Sequence, residues 1–280
     1  IFFGKTHSPS EIPITSYESE TYQIKYTEFA SEGLDGLEKT ITIPKDLETS
    51  LRPFVTPKTF YFGTDKYGRD LLSRILVGAR ISFSIGFVAV FISLIIGVLM
   101  GSIAGYFGGK WDKLIMWIIN VTWSIPTLLL VIAITLALGK GFWQVFIAVG
   151  LTMWVEVARI VRGQVMSVKE MQYVTAARAL GFTDFRIILK HILPNILAPV
   201  IVISAANFAA AILIESGLSF LGIGAQPPMS SWGAMIKDHY NYIILGKPYL
   251  ALIPGLCIMS LVMAFMLIGN SLRDALDVKA

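Results

Sequence analysis

The chain has 280 residues, of which 55% are hydrophobic and only 15% are charged, with a formal net charge of +4. A soluble domain of this size would need more charge on its surface, so composition excludes an ordinary soluble protein and predicts an integral membrane protein. The basic residues flank apolar runs, which is typical of membrane topology and argues against a nucleic-acid partner. The single cysteine, Cys257, excludes an internal disulfide.

The first part of the chain, residues 1–66, is polar and lacks an apolar run long enough to cross a bilayer. Tyr22, Ile24 and Tyr26 alternate with polar residues, as in a half-buried strand, and residues 40–43 form a second strand candidate. We therefore predict a small extracytoplasmic segment that contains β-structure or is irregular. A disordered linker is the alternative.

Residues 62–70 come next and read F-G-T-D-K-Y-G-R-D. Behind them, Leu72, Ile75, Leu76 and Ala79 recur at helical spacing, with arginines on both sides. This pattern predicts an amphipathic helix that lies in the membrane interface. Alternatively, the same residues form the first turns of the next span.

Five apolar segments follow, each with the roughly 20 residues that a bilayer crossing requires. They lie at 81–106, 114–138, 142–161, 195–223 and 249–269. The first and third connections and the C-terminal tail are richer in Lys and Arg, which places them in the cytoplasm and the N-terminal segment outside. Since the sequence starts with an apolar I-F-F-G stretch, we also expect a sixth, N-terminal span to precede it.

The third connection, residues 162–194, is a charged, helix-forming stretch between two apolar segments. Ser167 and Glu170 have the S-x-x-E spacing of a capping box, which predicts a helix start at this point. Gly181 stands where that helix would end, because glycine adopts the left-handed conformation without steric cost. We predict a helix, a tight turn and a second short helix within residues 167–194.

Several residues inside the apolar runs carry a cost in a membrane. Pro126 interrupts the second run and predicts a kinked helix. Glu215 lies towards the outer end of its span and would either serve an outer gate or fix helix packing. Glu156 and Arg159 are three residues apart, which predicts an ion pair on one helix face. Glycines recur every fourth position through residues 97–105, a spacing that permits close helix contact.

The sequence lacks the motifs of a catalyst. It contains no G-x-x-x-x-G-K-[ST] phosphate-binding loop, no H-E-x-x-H and no nucleophile elbow. Its three histidines, His7, His191 and His239, are scattered. We therefore predict no cofactor, no metal site and no enzymatic activity, so that the energy for any transport comes from a partner.

These stretches resemble, in the right order, motifs of the permease subunits of ABC importers for dipeptides, oligopeptides and nickel. Residues 62–70 are similar to the family's G-T-D-x-x-G-R-D. Residues 176–181 resemble its cytoplasmic "EAA" loop, although Thr175 stands at the position of the glutamate. Residues 215–224 resemble its E-A-S-L-S-F-L-G-L-G, and residues 226–233 its Q-P-P-x-x-S-W-G.

The resemblance implies an all-α integral membrane fold: a polytopic helical bundle of the type I ABC importer permease kind, with residues 1–66 outside the membrane and residues 67–280 as the transmembrane domain. It further implies a multi-pass subunit in the bacterial plasma (inner) membrane that imports peptides or a related small solute. A second homologous permease would complete the translocation path. Two ATP-binding cassette ATPases would bind from the cytoplasm, and an extracytoplasmic solute-binding protein would deliver the cargo.

By the same resemblance, residues 167–194, which we call the docking segment, would couple to an ATPase. The residues that carry this role are Thr175, Ala176, Ala177, Arg178, Ala179, Leu180 and Gly181. Pro126 and Glu215 would be gate or pathway residues. Two other classes stay open at this point, a secondary transporter or channel that works alone and a membrane enzyme.

Overall fold

The computed structural model describes residues 12–20, 23–30, 36–42, 55, 57–139, 141–224 and 229–276. The chain divides into two compact units, Ile1–Leu76 and Val77–Ala280. The domain boundary between residues 66 and 67 stays a prediction. The strands are β1 Ile14–Glu20, β2 Gln23–Glu28 and β3 Glu38–Thr42. The helices are α1 Leu71–Phe107, α2 Gly109–Trp123, α3 Thr127–Leu138, α4 Phe142–Val168, α5 Gln172–Ala179, α6 Asp184–Ile187, α7 Leu197–Phe220, α8 Trp232–His239 and α9 Tyr249–Leu276.

The N-terminal unit contains an antiparallel sheet in the order β1-β2-β3. Ile24 and Tyr26 on the central strand are buried between exposed neighbours, as the period-2 pattern predicts. β3 confirms the second strand candidate over its described residues, while Tyr22 and Ile43 lie outside them. β1 was not predicted, because its sequence I-T-S-Y-E-S-E offers a single aromatic and no buried apolar face.

The turn before α1 is built around Asp65, which is buried. Its carboxylate accepts hydrogen bonds from the backbone N–H groups of Tyr67 (2.8 Å) and Arg69 (2.9 Å) and forms an ion pair with Arg69 Nε at 2.8 Å. Asp70 then caps α1 by accepting from the N–H groups of Leu72 and Ser73. The hydrogen bond from the Ser73 hydroxyl is the main reason that the pKa of Asp70 lies below its usual value.

α1 runs without interruption from residue 71 to residue 107. The prediction of a separate amphipathic helix in the membrane interface is therefore wrong, and its alternative, the first turns of the span, is correct. The helical hydrogen bonds continue because no proline or glycine breaks the residues between Asp70 and Val77.

Four helical stretches are long and apolar enough to cross a bilayer: Leu71–Phe107, Trp143–Val168, Asp184–Phe220 and Tyr249–Leu276. A fifth crossing results if α2 and α3, which meet at an angle of 94°, form one broken span. The described residues thus hold four crossings, or five with the bent pair. The predicted segments 81–106, 142–161, 195–223 and 249–269 each fall on one of the long helices, and 114–138 falls on the bent pair.

α4 is the central helix of the membrane unit. In the apolar stretch of α4, 67% is buried, against 17% for α9, so α4 is surrounded by protein and α9 lies at the edge. Its side chains enter three separate apolar clusters, one with α1, α3 and α7, one with α1 and α2, and one with α1, α5, α6 and the start of α7. Movement of α4 would therefore disturb nearly every other helix.

The predicted close helix contact lies between α1 and α4. A Cβ atom at Gly101 would stand 2.5 Å from the carbonyl oxygen of Ala158, and one at Gly105 would stand 2.7 Å from that of Arg162. Gly97 faces Val157 with the same tightness. Only glycine fits at these three positions, since real Cβ atoms do not approach other atoms so closely.

The predicted capping box is wrong. α4 continues through Ser167, and the N–H of Lys169 still donates to the carbonyl of Val165 at 2.9 Å. The buried side chain of Val165 holds this last turn in the helix, so tertiary packing overrides the local signal. α5 starts later, after Met171, whose side chain makes no capping hydrogen bond.

Helix α6 joins α7 through irregular helical turns and not through a clean stop. A π-type turn covers Ile188–Ile192 and a 3₁₀ turn covers Leu193–Ile196, with Pro194 near the start of the latter. The Asn195 side chain donates to the carbonyl of His191 at 2.7 Å, which satisfies a group that the regular α-helical pattern would have paired.

Candidate functional site

The docking segment folds as two short helices joined by a turn at Gly181. Gly181 has φ = 77°, in the left-handed region. The N–H of Phe182 donates to Ala177 O at 3.2 Å, and the N–H of Gly181 donates to Arg178 O at 3.0 Å. These two bonds define a Schellman motif, which closes the end of α5 and fixes the direction of the chain into α6.

One face of the docking segment is anchored in the protein. Val174 and Ala177 of α5 and Ile187 of α6 are buried in a cluster with Val161 and Val165 of α4. All of these side chains except Ala177 are completely inaccessible to solvent. We refer to this set as the anchor cluster. The anchor cluster is part of the densely packed interior, so it holds α5 and α6 rigidly against the end of α4.

Polar contacts add to this anchor. The Tyr106 hydroxyl at the end of α1 donates to Asp184 Oδ1 at 2.6 Å, and the Arg178 guanidinium lies 5.8 Å from the centre of the Tyr106 ring. The Arg186 guanidinium stands over the Phe182 ring at 4.1 Å. The docking segment is thus tied to both α1 and α4.

The opposite face of the docking segment is exposed. Of the seven residues predicted to couple to an ATPase, Ala177 is buried, and the structure leaves the others open: Thr175, Ala176, Arg178, Ala179, Leu180 and Gly181. Leu180 is 74% exposed and Phe185 of α6 is 73% exposed. Two large apolar side chains at this level of exposure, next to basic residues, are typical of a protein-binding surface.

Sequence reasoning missed an ion pair beside the anchor cluster. Asp112, in the first turn of α2, pairs with Arg162 of α4 through two hydrogen bonds, of which the Nη2–Oδ2 bond is 2.7 Å long. Both side chains are about three-quarters buried, with 25% and 21% exposure. The one available signal was an aspartate where a helix N-terminus favours negative charge, but its partner is 50 residues away in sequence.

The predicted ion pair between Glu156 and Arg159 is wrong. Arg159 instead lies over the Trp123 ring at 3.8 Å and donates from Nη2 to Asn120 Oδ1 at 3.3 Å. A guanidinium group stacks well on an indole, and these contacts draw the side chain towards α2.

Pro126 terminates a helix instead of merely kinking it. α2 ends at Trp123, α3 begins at Thr127, and their axes differ by 94°. Proline cannot donate to the preceding turn, and the break is satisfied locally, since the N–H of Ser124 donates to Asn120 O at 3.0 Å. A cavity opens beside this break, and its walls come from α2, α3, α4 and α7.

Glu215 is fully buried and is not among the residues that line that cavity. Its Oε1 accepts from the Ser219 hydroxyl at 2.6 Å, one helical turn further along α7, while its Oε2 has no hydrogen-bond partner among the described residues. Ser231 caps α8 by accepting from Ala234 N at 3.2 Å. Its complete burial and its bond within α7 favour the packing alternative for Glu215. The structure does not bring it together with Pro126.

Of residues 226–233, which resemble the family's Q-P-P-x-x-S-W-G, the structure describes 229–233, and 226–228 lie outside the described residues. Trp232 is buried, and its ring packs against Gly78 of α1. A Cβ atom at Gly233 would meet backbone atoms of Ser216. The described part of the loop therefore caps the bundle.

Comparison with known proteins agrees with this architecture. Residues 97–279 match the family described as the binding-protein-dependent transport system inner membrane component. The glutathione transport system permease protein GsiD of Escherichia coli is 43% identical over 219 residues, which cover 78% of this chain and 72% of that protein. The dipeptide transport system permease protein DppC of Alkalihalophilus pseudofirmus is 45% identical over 219 residues, with the same coverage.

Solved structures show the same fold. The MetNI methionine ABC transporter in an inward-facing conformation aligns with a TM-score of 0.61 at 18% identity, over 73% of this chain and 97% of that chain. An amino acid ABC transporter aligns with a TM-score of 0.51 at 16% identity, over 75% of this chain and 95% of that chain. The predicted bundle of the type I ABC importer permease kind is confirmed. This chain belongs to the family of binding-protein-dependent transport system inner membrane components, as a permease subunit of an ABC importer and not an enzyme.

Proposed function

We propose that this permease imports small peptides or closely related amino-acid derivatives, driven by ATPase subunits that engage its docking segment. The cargo class is supported by relatives whose names specify glutathione and dipeptides. A second, homologous permease completes the path, and a solute-binding protein delivers the cargo at the opposite side of the membrane. These partners are the ones that the family's description and the ABC architecture imply.

One observation carries the coupling role: the docking segment has a buried face and an exposed face. The buried face is the anchor cluster, which joins α5 and α6 to α4. The exposed face presents Leu180 and Phe185 next to Arg178 and Arg186. The segment is fixed to its own protein on one face and can bind a partner protein on the other. It can therefore transmit a displacement from the ATPase to α4.

The anchor cluster would pass a movement of the docking segment on to the spans. When the ATPases close on ATP, they displace the docking segment, and α4 moves with it because the buried side chains of the anchor cluster pack the two together. Since α4 contributes to all three apolar clusters, this displacement reaches the other spans. The permease pair then alternates between inward-facing and outward-facing states.

The test is an exposed-face variant, Leu180→Glu. Burying a leucine side chain at an interface stabilises it by about 2 kcal/mol, so the variant should lose more than about tenfold in ATPase affinity. The matched control is Leu245→Glu, which alters a leucine of 61% exposure in the connection between α8 and α9. The measurement is the ATPase retained by the tagged permease after extraction in mild detergent.

We expect Leu180→Glu to lose the ATPases and Leu245→Glu to keep them. Equal retention by both variants, at wild-type membrane levels, would contradict docking at this face. If the wild-type permease retains no ATPase at all while it transports solute in response to an ion gradient, it works as a secondary transporter, and the proposed function is wrong.

A further inference from the structure

The cavity beside the break between α2 and α3 has a composition suited to a small charged solute. It combines apolar walls with hydroxyl groups and one carboxylate. Its lining residues are Thr122, Trp123, Ile125, Thr127, Leu130, Thr152, Met153, Glu156, Ala210 and Ile214. Flexible and branched apolar side chains accept varied partners, whereas a single carboxylate fixes orientation.

Glu156 is the unusual member of this set. It lies near the middle of α4 and is exposed, whereas its neighbours Val155 and Val157 are buried. Within the described residues, no hydrogen bond or ion pair engages its carboxylate. An ionised carboxylate in the middle of a span is costly unless it faces water or a partner charge, so Glu156 needs a cationic or aqueous neighbour that comes from outside this chain.

Arg159 supplies a positive group one helical turn further along α4. Its guanidinium covers the Trp123 ring, which itself lines the cavity, at 3.8 Å. Asn120 accepts a hydrogen bond from Nη2. A guanidinium has five N–H donors in a planar fork, so Arg159 keeps donors for a further acceptor.

We propose that this cavity is the part of the translocation path that touches the solute, and that it recognises a zwitterion. Glu156 accepts hydrogen bonds from the ammonium group of the solute, and Arg159 donates to its carboxylate. Glu156 and Arg159 are three residues apart on α4, so a solute that contacts Glu156 in the cavity has the Arg159 guanidinium beside the part of the wall that Trp123 forms. This inference rests on the proposed function and specifies its solute class.

The apolar walls explain how one site would serve many peptides. Ile125 and Leu130 on the α3 side, with Met153 and Ile214 opposite, offer no directional groups to a side chain. The terminal charges are the features that all dipeptides share. A path that binds only the terminal charges would transport dipeptides of different sequence at similar rates.

The test uses the complete transporter, reconstituted in proteoliposomes with its ATPases and solute-binding protein, and radiolabelled dialanine as the probe. Glu156→Gln removes the charge and keeps the shape, while Glu156→Asp keeps the charge. Asp274→Asn, an exposed carboxylate near the end of α9, is the matched control. The readouts are the maximal uptake rate, the half-saturating concentration of loaded binding protein, basal ATP hydrolysis and the amount of second permease in the complex.

A hydrogen bond to a charged group contributes enough to change a rate by about tenfold or more. We therefore expect Glu156→Gln to lower the maximal uptake rate by at least about tenfold, with the half-saturating concentration of loaded binding protein unchanged. Glu156→Asp should restore most of the rate, and Asp274→Asn should match the wild type. If Glu156 had only a structural role, Glu156→Gln, which keeps its shape, would keep a higher uptake rate than Glu156→Asp, which shortens the side chain.

Equal uptake by the wild type and Glu156→Gln would overturn the site and leave the proposed function intact. Loss of the second permease from the Glu156→Gln complex would also overturn it, since the carboxylate would then serve a subunit interface. If the wild type imports neither dialanine nor glutathione, both the site and the proposed function are wrong.

Discussion

Substitution of Gly181 tests whether the turn of the docking segment must be rigid. Gly181 has φ = 77°, and a Cβ atom built on it would meet nothing within 4 Å. A side chain there therefore adds no clash, and its whole cost is conformational. For an L-residue the left-handed region costs about 1–2 kcal/mol, and a β-branched residue such as valine is disfavoured further.

The expected effect follows from that cost. An energy of about 1–2 kcal/mol corresponds to a factor of about 5–30 in the equilibrium between the closed and opened turn. Gly181→Val should therefore raise the exchange rate of the Phe182 amide, which donates to Ala177 O in the wild type, by about this factor. Transport per ATP hydrolysed should fall in parallel, because an opened turn no longer passes displacement from α5 to α6.

Gly163 offers the matched control. It too has open space around a built Cβ atom, but it lies inside α4 with ordinary helical geometry. Gly163→Val adds the same side chain without the left-handed penalty, so its transport per ATP should stay near that of the wild type. Wild-type protection of Phe182 together with wild-type transport in Gly181→Val would refute the reasoning.

Two further predictions concern α1. Gly101→Ala should lower the thermal unfolding midpoint in detergent through overpacking of about 1–3 kcal/mol, because its Cβ would stand 2.5 Å from Ala158 O. Gly217→Ala places a Cβ atom in open space and should leave the unfolding midpoint unchanged. Equal shifts of the midpoint in both variants would contradict the close contact. Asp70→Ala should weaken the start of α1 by about 1 kcal/mol, seen as faster exchange of the Leu72 amide. The pKa of Asp70 is lower in the folded state than in the unfolded state. The stability that its carboxylate contributes is therefore complete above the unfolded-state pKa and is lost as the pH falls through the folded-state pKa. Loss of this stability already near pH 6 would disprove the prediction.

Sequence patterns predicted those features that arise from local chemistry. The apolar runs predicted the spans, the spacing of Gly97, Gly101 and Gly105 predicted a close helix contact, and Gly181 predicted a left-handed helix end. In each case one residue type satisfies a geometric requirement by itself. The membrane family was predictable for the same reason, since several motifs occur in the right order.

The failures arose where a distant partner decides the outcome. Ser167 had a capping signal, but the packing of Val165 kept α4 helical beyond it. Arg159 had a carboxylate one turn away, yet Trp123 and Asn120 from another helix attract it more. Spacing along one helix contains no information about which side chains a second helix brings nearby.

The docking segment connects to the spans in two different ways. On one side, Gly101 and Gly105 of α1 lie against backbone carbonyls of α4, which leaves no room for a side chain between the two helices. On the other side, a π turn at Ile188–Ile192 and a 3₁₀ turn at Leu193–Ile196 interrupt the regular hydrogen-bond pattern, yet Ile192 and Ile196 are fully buried in the same cluster as α4 side chains. A displacement of the docking segment would therefore carry α1, α4 and the base of α7 together. The irregular turns are the place where the backbone would absorb a change in the angle between α6 and α7.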